Sequence, residues 1–111
     1  MRIGIAQLNP TVGDLTGNLA LALDAYEQLV GQGVDLIVYP ELMLCGYPPR
    51  DLLLKENFGK DCRNALEEFA RTTGPTPALI GFPEQNDGPS GDPSFNAAAW
   101  CVAGSVGQTF R

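Results

Sequence analysis

One segment constrains this chain more than any other. Leu36-Ile37-Val38-Tyr39 reads as a buried strand, and Pro40-Glu41 follows it directly. An acid placed there sits at the carboxyl end of a strand, where open α/β sheets form their ligand crevices. The segment after Glu41 carries Gly46, Pro48 and Pro49. Glycine permits unusual dihedrals, while proline fixes φ and restricts the residue before it. Glu41 is therefore expected on a rigid mount, as a catalytic acid or base requires.

The flanking sequence supplies an α/β frame. Residues 1–8 read as a strand, with turn residues at Asn9-Pro10 and Gly13-Asp14. From about Thr16, Leu19, Ala22, Leu23, Tyr26, Leu29 and Val30 recur at helical spacing, and Gly31 and Gly33 end the run. Residues 34–39 form the next strand. This βαβ unit predicts that the first two strands run parallel. A second helix is expected over Phe58, Cys62, Ala65, Leu66, Phe69 and Ala70, ended by residues 72–75. A short strand at 78–82, a polar loop at 83–94 and a hairpin of strands 95–102 and 106–110 complete the order. Gly104 and Gly107 are expected to flank the hairpin turn. The last strand runs to Phe110-Arg111 without a capping segment, so the domain is expected to continue further. Residues 1–111 read as one unit, the N-terminal part of a domain.

Charge and residue usage exclude several classes. The formal net charge is -6, and the seven lysines and arginines are scattered, so a nucleic-acid partner is not expected. No apolar run has transmembrane length and no signal peptide opens the chain, so neither does a membrane enter the reading. Cys45, Cys62 and Cys101 have no CxxC spacing. Their number and spacing argue against a disulfide framework or zinc site and point to a reducing cytoplasm. There is no histidine, so this stretch cannot build a Ser-His-Asp triad, a Cys-His pair or a histidine metal site.

Each candidate residue has a structural and a functional reading. Glu41 either pairs with Arg50 as an ordinary ion pair or acts as a general base in a partly desolvated crevice that raises its pKa. Tyr47 either packs with its hydroxyl on one partner or faces a ligand. Asn96, in Phe-Asn-Ala, is an unusual polar residue for an apolar strand and would need partners if buried. Cys45 has no neighbouring cation to lower its pKa. All three cysteines read as small buried hydrophobes.

These residues also carry a resemblance. Ala6-Gln7-Leu8-Asn9-Pro10-Thr11-Val12-Gly13-Asp14, Gly17-Asn18, Tyr39-Pro40-Glu41-Leu42, Gly46-Tyr47, Gly81-Phe82-Pro83 and Phe95-Asn96-Ala97-Ala98 together resemble the nitrilase, or carbon-nitrogen hydrolase, superfamily. Pro48-Pro49-Arg50-Asp51-Leu52-Leu53 and the Asn-Pro-Thr-Val-Gly-Asp opening resemble its branch found as the glutaminase domain of glutamine-dependent NAD synthetases.

The resemblance implies an αββα sandwich, of which this chain is the N-terminal half, and homo-oligomers formed through the helical faces. It implies a Glu-Lys-Cys set in which cysteine attacks the amide of glutamine, and ammonia leaves a thioester that water resolves. Glu41 matches the base, and Tyr47 matches a tyrosine near the glutamine pocket. The lysine is expected just after Phe110-Arg111; Lys55 and Lys60 lie in the wrong segment. The nucleophile is expected further downstream, so none of the three cysteines matches it. No cofactor or metal is implied for this segment. ATP and magnesium belong to a separate synthetase domain, which uses the ammonia to convert nicotinic acid adenine dinucleotide to NAD. Two other readings stand beside this one: a stand-alone amidase of the same superfamily, and a short non-catalytic interaction module.

Overall fold

A computed structural model describes residues 1–46, 57–85 and 94–111. The elements are β1 (Ile3–Ile5), α1 (Leu15–Gly31), β2 (Leu36–Val38), α2 (Phe58–Arg71), β3 (Ala78–Gln85), β4 (Ser94–Val102) and β5 (Ser105–Phe110). The five strands form one sheet in chain order. β1, β2 and β3 are parallel, and β4 and β5 continue the sheet antiparallel. The expected parallel βαβ unit is present. Two reversals make β5 run in the same direction as β2 and β3. The carboxyl ends of β2 and β5 therefore lie at the same end of the sheet.

Local chemistry explains both helices. The Asp14 side chain accepts from Gly17 N at 3.0 Å and caps α1. Gln32 ends the helix, and Gly33 takes φ +77 just beyond it. Along α2 the apolar stripe is buried at every expected position, from Phe58 to Ala70. Arg71 in the last turn suits the negative end of the helix dipole.

The core lies between the helices and one face of the sheet. Ala78, Ile80 and Phe82 alternate into it from β3, and Ala97, Ala99 and Cys101 from β4. Phe69 is its aromatic centre. Tyr39 meets Phe69 edge-on at 5.4 Å between centroids, and Tyr26 does so at 6.1 Å. Both tyrosine hydroxyls have partners: Tyr39 donates to Ala22 O at 2.7 Å and Tyr26 to Thr76 O at 2.8 Å.

Four expectations from sequence are revised. β1 is shorter than residues 1–8, and only one of its faces is buried: Ile3 and Ile5 are 54% and 65% exposed while Gly4 is buried. Val30 faces solvent, because the buried stripe of α1 runs through Asn18, Leu19, Ala22 and Tyr26. β3 continues through Pro83 to Gln85 where a loop was expected, since its pairing with β4 extends to Gln85–Ser94. The hairpin turn is Ala103-Gly104 alone; Gly107 lies within β5, where a bulge sets Gly107 and Gln108 against Trp100.

Candidate active site

β2 ends in Tyr39 and Pro40, and Glu41 opens a tight turn over residues 41–45. Leu42, next to the acid, takes φ +52, a conformation that side chains other than glycine seldom adopt. Three surrounding features hold it there. Within the turn, Gly46 N and Cys45 N donate to Leu42 O at 2.8 and 3.3 Å. Beneath it, Leu44 N donates to Gly81 O at 3.4 Å. The Leu42 side chain packs with Cys45, Phe58 and Cys62.

Gly81 of β3 is what lets the turn approach the sheet. A Cβ there would collide with Leu42 N and stand 3.0 Å from both Glu41 C and Pro40 O. The requirement is for closeness between two backbones, not for a special φ.

The Glu41 carboxylate stands exposed beside a cleft of about 300 Å³. The cleft is lined by Tyr39, Pro40 and Glu41 after β2, by Leu79 and Gly81 of β3, by Asn96 to Ala98 of β4, and by Phe110 and Arg111 at the end of β5. Arg111 Nε donates to Glu84 Oε1 at 2.6 Å, so a cation and two acids gather at this end of the sheet. Among the described residues, no cluster of three or more His, Cys, Asp or Glu side chains is arranged to hold a metal ion.

Asn96 corrects a sequence expectation. It is exposed, because the β4 alternation sends Ala97 and Ala99 into the core and leaves Asn96 on the opposite face. It therefore lines the cleft, and needs no buried partner. Tyr47, Arg50 and Lys55 lie outside the described residues, as does the expected Glu41–Arg50 pairing.

The cysteines are buried and free, as expected. Cys45 Sγ donates to Gly46 O at 3.0 Å. Its hydrogen bond to Cys45, and then burial, push the Cys62 thiol far up. Burial pushes Cys101 up to about 11. The same contact with Cys62 pulls the Cys45 thiol below its ordinary value, but all three cysteines are buried and none lines the cleft.

Sequence reasoning passed over Gly81 and Arg111 as site residues. The Gly-Phe-Pro motif offered a signal for the first, and the strand end offered one for the second. It also gave Asn18 no separate weight. Asn18 is 1% exposed, and its side-chain hydrogen bonds reach the loop before α1 and the Glu41 turn.

This fold belongs to a known class. Residues 2–103 match the carbon-nitrogen hydrolase family, and the chain belongs to that family. It is 41% identical to a glutamine-dependent NAD(+) synthetase of Thermotoga maritima over 114 residues, spanning 100% of this chain and 19% of that protein. The structure of the glutamine-dependent NAD+ synthetase from Acinetobacter baumannii superposes with a TM-score of 0.86 at 30% identity, covering 99% of this chain and 20% of that one. An amidase from Nesterenkonia sp. superposes with a TM-score of 0.80 at 27% identity, covering 100% of this chain and 42% of that one. The chain is thus a half of the nitrilase-like αββα sandwich, and it spans about a fifth of the length of the synthetases it matches.

Proposed function

We propose that residues 1–111 form the N-terminal part of the glutamine-hydrolysing domain of an NAD synthetase, which supplies ammonia for amidation of nicotinic acid adenine dinucleotide. Glu41 is the general base, first toward the attacking thiol and then toward water. Tyr47 contributes to the glutamine pocket. The remainder of the domain supplies a lysine that stabilises the tetrahedral oxyanion and the cysteine nucleophile. ATP and magnesium act on a separate synthetase domain. The protein works in the cytoplasm as a homo-oligomer joined through its sandwich faces.

One observation carries this reading: the carboxyl ends of β2 and β5 open on the same cleft, with Glu41 at one and Arg111 at the other. The end of β5 thus stands across the cleft from Glu41, which supports a Glu-Lys-Cys set whose lysine follows that strand. The identity to full-length synthetases favours glutamine as the amide.

A stand-alone amidase is the second reading, favoured by the likeness to the Nesterenkonia amidase. That relative was also solved as a glutamate-to-glutamine variant, showing the result of Michael addition of acrylamide at its active site cysteine.

The experiment is Glu41→Gln in the full-length protein. Glutamine-dependent NAD synthesis should fall by about two to four orders of magnitude, the usual cost of losing a general base, while ammonia-dependent synthesis persists. Wild-type glutamine hydrolysis in this variant would remove Glu41 from the chemistry. Amide hydrolysis without any NAD synthesis by the wild type would select the second reading.

A further inference from the structure

Asn18 is a polar residue placed where α1 buries its apolar stripe, at 1% exposure. Burying an amide without partners is strongly unfavourable, so its bonds show what it is for. Oδ1 accepts from Thr11 N at 2.8 Å, and Nδ2 donates to Thr11 O at 2.8 Å. The side chain thus pairs with both polar groups of a single backbone residue, which fixes which way the amide faces. The second Nδ2 proton goes to Leu44 O at 3.1 Å, across a sequence separation of 26. Leu44 O is a carbonyl of the turn that carries Glu41.

Two parallel links join the same pair of segments. Gly13 N donates to Cys45 O at 2.9 Å. Gly46, at φ +69, lies so close to the loop that a Cβ there would sit 3.1 Å from Val12 Cα. The loop at 11–13 is therefore a buttress under the turn, and Asn18 is the buried amide that ties the two together.

We propose that Asn18 is a positioning residue for the carboxylate of Glu41. It does not line the cleft. It acts by holding the turn in the register that keeps Leu42 at φ +52 and sets Glu41 at the cleft mouth. The role rests on the reading of Glu41 as the general base.

The test uses the full-length protein and a double-mutant cycle. Asn18→Asp keeps the shape but replaces the donor to Thr11 O and Leu44 O by an oxygen. A reacting group misplaced by an ångström can lose about a hundredfold. Glutamine-dependent kcat should accordingly fall about ten- to a hundredfold, with KM for glutamine within about twofold and ammonia-dependent synthesis unchanged. In a Glu41→Gln background the same substitution should cost nothing further, because the group it positions is already gone. Asn18→Ser, small enough to admit a bridging water, is read the same way if the aspartate variant does not fold. Wild-type glutamine turnover in a folded Asn18 variant, or a full additional loss on Glu41→Gln, overturns the proposal. So does a parallel loss of ammonia-dependent synthesis in both variants, which assigns Asn18 to the fold alone. A Glu41→Gln protein that hydrolyses glutamine normally refutes the functional reading itself, and the positioning role falls with it. A dead Glu41→Gln beside a normal Asn18→Asp refutes only the positioning role.

Discussion

Two residues of this chain other than glycine have positive φ among the described residues, and they have the same value: Leu42 and Ala103, both at +52. The causes differ. Ala103 and Gly104, at φ +84, are the two central residues of the β4–β5 hairpin. A two-residue turn of this kind needs positive φ at both positions, because only then does its twist match that of the strands. Any sequence folding into that hairpin meets the same demand. Leu42 obeys no such local rule. It follows a strand end and opens a tight turn, and beyond the two bonds to its own carbonyl within that turn it is clamped from outside by Gly81 beneath and by the Asn18 and Gly13 bonds to Leu44 O and Cys45 O. A backbone held at such a φ costs roughly 1–3 kcal/mol and persists only when its surroundings overdetermine it. In the hairpin that cost closes a turn. Beside Glu41 it shapes the turn that brings the acid to the cleft.

Gly81→Ala should separate the two regions most sharply. The new methyl meets Leu42 N, a backbone atom that cannot swing aside. Overpacking of this kind costs about 1–3 kcal/mol, and a backbone collision belongs at the upper end. Glutamine-dependent activity of the full-length protein should drop by about a hundredfold, as expected for displacement of a reacting group by an ångström. Steady-state kinetics and a denaturant titration together check this. Normal activity with normal stability would mean that the turn can lift off β3, and that its contact with the sheet does not set Glu41.

The difference between the regions also governs what could be read from the sequence. Periodicity captured what is repetitive. The stripe of α2 is buried at all six expected positions, and the βαβ unit and the antiparallel hairpin are where spacing placed them. A strand followed by an acid marked Glu41. What spacing could not supply was approach in space. Gly81 is one glycine in an apolar run, and only the structure sets it under Leu42. Asn18 lies on a helix whose other buried residues are apolar, and only the fold brings Leu44 O within reach. An apolar run left open which face Asn96 takes, and the pleat of β4 turns it outward. The hairpin turn keeps Gly104 but pairs it with Ala103, an alanine at positive φ that composition does not mark, while Gly107 falls inside β5.

Leu42→Gly should have the next largest effect, and its sign tests the comparison directly. Glycine removes the penalty of a left-handed residue, roughly 1–2 kcal/mol. It also deletes a side chain packed against Cys45, Phe58 and Cys62, and truncation of a buried leucine costs about 2–5 kcal/mol. Packing wins, so the full-length protein should lose about 2 kcal/mol. A stabilised variant would show that strain, not packing, dominates at this turn.

Ala103→Gly gives the smallest effect and has the opposite sign. Ala103 is exposed, so no packing is lost. Its amide donates to Gly74 O at 2.8 Å, and glycine keeps that bond. Relief of the left-handed penalty contributes about 1–2 kcal/mol, and the greater freedom of glycine in the unfolded chain takes back about 0.4–1 kcal/mol. A net gain of roughly 0.5 kcal/mol should remain, seen as a small rise in Tm with glutamine and ammonia-dependent activities both unchanged. The pair of glycine substitutions is then the sharpest form of the contrast: one φ and one mutation, with stability moving down beside Glu41 and up in the hairpin. If both variants moved the same way, the balance of packing against strain would be the same in the two turns, and the contrast between a packed Leu42 and an exposed Ala103 would fail.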